Sequence, residues 1–207
     1  GTVIWEASIA LAEEAIDRFG DDLRRGARVL ELGCGLGFPG LACAALGAKT
    51  TVTDVPEVFE LLERNVALNF PPGALSAGEP HGSGEAGGGG TARAVALRWD
   101  VGAVEALARE EGGAFDLVLC ADCVYQPLYG ESWKGLADCT TAMCRDGRTS
   151  ALVSVQRRHN DGVPGFLDRL SAGLRVERVS LRMLPDAHLE IFSARRPRDG
   201  EAAGLLL

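Results

Sequence analysis

A cluster of glycines and acids lies between Glu31 and Asp54. Glu31-Leu32-Gly33-Cys34-Gly35-Leu36-Gly37 sets three glycines within five positions, directly after the β-rich run Arg28–Leu32. Glycine lets a backbone turn tightly and approach a ligand closely. In an open α/β sheet, ligands bind at such strand-to-helix turns, outside the carboxyl ends of the strands. Asp54 closes the next β-branched run, "KTTVTD", where a carboxylate can accept hydrogen bonds from ribose hydroxyls.

Three ligand classes compete for this turn. A phosphate-cradling loop needs GxxxxGK[ST], and no Lys-Ser or Lys-Thr pair closes this one. A dinucleotide turn, GxGxxG, asks for glycine where the chain has Phe38. Glu31 puts a carboxylate at the strand tip, which repels a pyrophosphate and favours a cation. The chemistry therefore favours a sulfonium methyl donor over a dinucleotide. Asp54 does not discriminate, because nicotinamide enzymes use an acid at a similar place.

The elements around the turn alternate. Helical spacing runs through Trp5–Phe19, Pro39–Gly47, Pro56–Asn69, Val101–Glu111, Gly135–Cys144 and Val163–Gly173. Strand-like runs are Arg28–Leu32, Lys49–Asp54, Ala92–Trp99, Phe115–Asp122, Thr149–Gln156, Leu174–Leu184 and His188–Arg196. This βα alternation predicts a Rossmann-like α/β fold: seven strands, mostly parallel, an antiparallel C-terminal edge hairpin, and helices on both faces. Residues 71–92, "PPGALSAGEPHGSGEAGGGGTA", have almost nothing to bury and read as a disordered insertion. Residues 197–207 read as a flexible tail. The whole of 1–207 is expected to be one domain.

The chain has 207 residues and a net charge of −8, which argues against a nucleic-acid partner. No apolar run reaches the length that spans a bilayer, and no signal-peptide pattern opens the chain. A helical pattern starts almost at Gly1, as in a fragment. Six cysteines in a chain without a secretory signal read as reduced thiols, so a cytoplasmic setting, with the nucleus as a second, is expected. Cys120-Ala-Asp-Cys123 is formally a CxxC, but it closes a strand-like run and is read as two small apolar side chains, with no metal site. His81 is expected to be solvated and His188 structural.

"ELGCGLG" resembles motif I of class I S-adenosylmethionine-dependent methyltransferases. A closer resemblance is to the methyltransferase-like family of non-histone protein lysine methyltransferases. It rests on "VIWEASIALA" (Val3–Ala12), "VLELGCGLGFPGLACAALGA", "VTDVPEVFELLERNVALN", "LRWD" (Leu97–Asp100) and "FDLVLCADCVY" (Phe115–Tyr125), in that order. The sequence opens close to Trp5, short of the β-rich N-terminal segment usual in the group. The resemblance implies S-adenosylmethionine contacts at Trp5, Gly33, Cys34, Gly35, Asp54, Trp99 and Ala121; Glu31, for its carboxylate at the strand tip, is expected among the cofactor-binding residues as well. The resemblance also implies a DxxY at the mouth of the site, Asp122 and Tyr125, as catalytic residues. Asp122 would hold the approaching amine and Tyr125 would supply an oxygen and an aromatic wall. The implied reaction is methyl transfer to a lysine of a protein substrate, by a monomer.

Each residue also has a plainer reading. Trp5 could be a core aromatic, Trp99 a strand cap, Asp122 a helix N-cap and Tyr125 a packing residue. Arg157, Arg158, His159 and Asn160 follow a strand on the site side, and an exposed polar loop is the favoured account of them. Other functions compatible with the chain are methyl transfer to a small molecule, an NAD(P)-linked oxidoreductase, and a binding module that has lost its chemistry.

Overall fold

Five strands pair in parallel because a helical crossover separates each from the next in the chain. The computed structural model describes residues 3–71, 89–185 and 187–207. In chain order the strands are β1 (Arg28–Leu32), β2 (Lys49–Asp54), β3 (Thr91–Ala96), β4 (Leu117–Ala121), β5 (Ser150–Arg157), β6 (Arg175–Met183), β7 (His188–Arg195) and β8 (Gly204–Leu206). They form one sheet in the order β3-β2-β1-β4-β5-β7-β6-β8. β7 lies antiparallel between β5 and β6.

Helices α1 (Glu6–Arg24), α2 (Phe38–Ala45), α3 (Phe59–Asn69), α4 (Val101–Glu110), α5 (Gln126–Tyr129), α6 (Trp133–Met143) and α7 (Val163–Ser171) complete the chain. Side chains alternate across a strand, so each strand feeds two cores. Val29, Leu117, Leu119 and Leu152 pack against Ala7, Leu11, Ala15 and Leu23 of α1. Leu30, Val118, Cys120 and Val153 pack against Val104 of α4, Leu136 of α6 and Phe166 of α7. Burying one such large side chain stabilises by about 1.5–3 kcal/mol. Among the described residues, no helix is long and apolar enough to cross a membrane.

Several boundaries differ from the sequence reading. α1 runs past Phe19 to Arg24 because Leu23 is fully buried, and packing outweighs the propensity cost of Gly20. β3 starts at Thr91, inside the stretch assigned to the insertion, and leaves the ladder after Ala96. Asp100 then caps α4, accepting from Ala103 N–H at 2.9 Å. Residues 72–88, including His81, lie outside the described residues. The tail expectation is corrected at Gly204–Leu206, which adds an eighth strand parallel to β6. Packing and an ion pair add to the ladder that holds it there. Leu205 packs on the core, and Glu201 accepts from Arg195 at 2.7 and 2.9 Å.

α2 lies unusually close to the sheet. A Cβ on Gly40 would fall 2.6 Å from Val52 Cγ1, 2.7 Å from Glu31 Oε2 and 3.0 Å from Thr50 Cγ2. All three neighbours are buried on strands and cannot swing away. Gly40→Ala should therefore cost about 1–3 kcal/mol in urea unfolding through overpacking. Unchanged stability would show that α2 can lift off the sheet.

Candidate active site

The strand order reverses at β1. The chain moves from β1 outward to β2 and β3, then crosses back to β4 and β5 on the other side. Crossovers that leave in opposite directions open a crevice at the carboxyl ends, and the structure has a cleft of about 730 Å³ there. Its walls come from the β1–α2 turn, the ends of β2, β4 and β5, the β3–α4 segment and the start of α1. Every site residue singled out above lines it except Glu31.

The glycine turn works through both conformation and space. Gly33 has φ +67, and a Cβ there would meet Trp99 Cζ2 at 2.7 Å and Cys123 Sγ at 2.8 Å. The turn is closed by Cys34 N–H to Thr53 O (3.0 Å) and Gly37 N–H to Cys34 O (2.8 Å). Asp54 clamps it from the next strand. Its Oδ2 accepts from Gly35 N–H and its Oδ1 from Val55 N–H, both at 2.7 Å. A carboxylate offers about four acceptor sites. Two are taken, so capacity remains for a pair of hydroxyl donors.

Glu31 is corrected. It is fully buried beneath α2, where Oε2 accepts from Gly40 N–H at 2.7 Å, and it does not face the cleft. Its Oε1 has no hydrogen-bond partner among the described residues. Burial pushes its pKa from 4.5 up to about 8, and the negative charge of Asp54 adds to this while the Gly40 N–H opposes it. The strand alternation that turns Leu30 and Leu32 toward one core turns Glu31 toward the helix on the other face.

Trp5 is 52% exposed and stands at the start of α1, its carbonyl accepting from Ser8 N–H at 2.9 Å. It is a wall of the cleft and not a core aromatic. Trp99 is half-buried against the core and backs Gly33. Cys120 and Cys123 are free, buried thiols. The Cys123 thiol sits 3.2 Å from Gly33 O and 3.4 Å from Ala121 O. A hydrogen bond with Cys120, and burial, raise its pKa and keep it protonated.

Asp122 and Tyr125 also line the cleft. Asp122 has φ +52, a conformation aspartate tolerates better than most residues, and its N–H donates to Ser154 O at 2.8 Å. Its carboxylate caps no helix. Oδ1 accepts from Gln156 N–H and Arg158 Nη1, each at 3.0 Å, and Oδ2 accepts from Arg158 Nη2 at 2.7 Å. The Arg158 guanidinium also lies 5.0 Å from the centroid of the Tyr125 ring. Its side chain is only 22% exposed, so the polar-loop reading of Arg158 is corrected. Its position just past the end of β5, at the ligand edge of the sheet, was the signal available in the sequence. The cleft also takes in Arg98, Leu128 and Tyr129, which the sequence reading did not single out.

Buried Asp161 holds the loop that carries Arg158. Its Oδ2 accepts from Arg157 Nε (2.9 Å) and Arg158 N–H (3.1 Å), and its Oδ1 from Val163 N–H (2.9 Å). Its carbonyl accepts from Gln126 N–H at 2.9 Å, which ties the segment after β4 to the loop after β5.

This doubly wound sheet with a cleft at its switch point is the fold of known methyltransferases. The solved magnesium protoporphyrin IX methyltransferase of Synechocystis, with bound SAM, matches at TM-score 0.52 and 16% identity over 95% of this chain and 86% of that one. In sequence, residues 1–172 match the lysine methyltransferase family. The chain belongs to that family. Protein N-lysine methyltransferase METTL21A of Danio rerio is 30% identical over 187 residues, 90% of this chain and 74% of that protein. Secreted RxLR effector protein 48 of Plasmopara viticola is 38% identical over 134 residues, 63% of this chain. The chain spans 64% of that relative's length.

The buried carboxyl makes a prediction. The folded pKa of Glu31 lies above its ordinary value, so the group takes up a proton on folding. Its favourable contribution is full below about pH 4.5 and is lost as pH rises toward about 8. Glu31→Gln keeps an acceptor for Gly40 N–H and removes the titration. Urea unfolding of the variant should decline less between pH 5 and pH 8 than that of the wild type. Equal slopes would mean that Glu31 does not set this dependence.

Proposed function

We propose that this chain transfers a methyl group from S-adenosylmethionine to the side-chain amine of a lysine in a protein substrate. The observation that carries this reading is one cleft lined by two chemically different groups of residues. One group is a glycine turn clamped by Asp54, and the other is Asp122 beside Tyr125. Membership of the lysine methyltransferase family supports the acceptor, as does the name of the Danio rerio relative.

The residues present fit the methyl donor. Asp54 retains acceptor capacity for two ribose hydroxyls, Gly33 and Gly35 let the backbone come close, and Trp5 and Trp99 offer apolar walls. S-adenosylmethionine bound there supplies a methyl carbon activated by its sulfonium. The chain's own work is positioning and exclusion of water. Asp122 and Tyr125 orient the acceptor amine at the mouth, where the short helix α5 brings Leu128 and Tyr129 to the rim. Six free, buried cysteines support a reducing, cytoplasmic or nuclear setting for this reaction.

Two substitutions separate the roles. Asp54→Ala should weaken S-adenosylmethionine binding by about 10- to 100-fold in calorimetry, since it removes hydrogen bonds to a charged acceptor. Asp122→Asn keeps the left-handed backbone conformation. It should leave that affinity nearly unchanged while lowering transfer of labelled methyl into a whole-cell protein extract by about 100-fold or more. Equal losses of affinity in both variants would remove Asp122 from the acceptor end. Label recovered only in small molecules would replace the protein acceptor.

A further inference from the structure

The acceptor end of the cleft already holds a cation. Arg158 binds Asp122 through two nitrogens and covers the face of Tyr125. Those are the two features of the mouth that would attract an ammonium group. We propose that Arg158 is a positioning residue that cancels the charge of Asp122, so that the acceptor lysine is held as the neutral amine. The inference rests on the lysine-acceptor reading above and adds how that site selects the reactive form.

The hydrogen-bond count supports it. Of about four acceptor sites on a carboxylate, Gln156 N–H and the two Arg158 nitrogens occupy three. One remains on Oδ2. A neutral amine can fill it with one N–H and keep its lone pair free, whereas an ammonium brings three donors to one site. The guanidinium is held firmly. Its nitrogens also donate to Gln156 Oε1 (2.9 Å) and Gln156 O (3.3 Å), and Asp161 fixes the backbone beneath it. The other titratable groups lining the cleft are Cys34, Asp54, Arg98, Cys123, Tyr125 and Tyr129, with Arg157 and Asp161 behind Arg158. Arg98 is paired with Glu57. Cys123 and Tyr129 have raised pKa values and stay neutral near pH 7.

The transfer step needs this neutral form. The amine lone pair forms the N–CH₃ bond as the S–CH₃ bond breaks, and that bonding pair stays on sulfur as a thioether. The methylated nitrogen, now cationic, releases its extra proton to water. A free lysine has a pKa of about 10.4. A lone carboxylate within about 4–6 Å would raise it by a further 1–3 units and drain the reactive form. Arg158 offsets that rise.

The test follows labelled methyl transfer from S-adenosylmethionine into lysines of a whole-cell protein extract, between about pH 6.5 and 10 to bracket the amine titration. Wild type is compared with Arg158→Gln, Arg158→Met and Arg158→Lys, and cofactor affinity is measured by calorimetry. The two neutral variants should keep cofactor affinity and lose about tenfold of the transfer at pH 7. Their half-maximal pH should rise by about one unit, with activity recovered at high pH. Arg158→Lys should keep the wild-type half-maximal pH. A loss of equal size at every pH would make the role merely structural and overturn the inference. A gain at pH 7 would also overturn it, by making the ion pair a block on the acceptor. Wild type that labels no lysine at any pH would sink the lysine-acceptor reading and this inference together; active wild type with unshifted variants would sink the inference alone.

Discussion

β1 pairs in parallel with β2 on one side and β4 on the other, and the chain leaves the two neighbouring strands in opposite directions. The free carboxyl end of β1 is therefore the one place where loops from both halves of the sheet can meet. The cleft-lining ends of four strands converge there. The glycine turn continues β1, Asp54 ends β2, Ala121 ends β4 and Arg158 follows β5. Parallel ladders fix these ends at the same level, and a shift of register in any strand would carry its terminal residue out of the cleft.

The close approach at that point has an energetic cost. Gly33 is wedged against Trp99 and Cys123, and Gly40 against Val52 and Glu31, with no space for a side-chain carbon in either place. This draws α2 down onto the sheet and buries a carboxyl group under its first turn. The Gly40 N–H satisfies one oxygen, and the low-dielectric surroundings push the group toward its protonated form. Asp54 instead stands in the cleft itself, next to the turn it clamps.

The surroundings of Asp122 are organised by ion pairs between loops. Asp161 gathers Arg157, Arg158, Val163 and Gln126 around one buried carboxylate and its carbonyl. Glu190 on β7 adds Arg157 and Arg178 to the same region. Buried pairs of this kind contribute little net stability, but they hold charged groups in one arrangement. Here the arrangement is the Asp122–Arg158 fork beneath Tyr125.

The alternation of strands and helices, the glycine turn, the acid at the end of β2 and the order of the motifs that mark the family are all legible in the amino-acid order. These are local features: a hydrophobic period, a run of small residues and a cap are written in consecutive residues. Packing in three dimensions settled which side of a strand faces the cleft. Glu31 and Asp54 looked alike in sequence, yet one lies under α2 and the other in the cleft, because alternation across a strand assigns faces only once the helix above is placed. It also decided that Arg158 pairs with Asp122, 36 residues away, and that Gly204–Leu206 joins the sheet beside β6. Such contacts depend on parallel neighbours brought together by crossovers, and spacing along the chain carries no record of them.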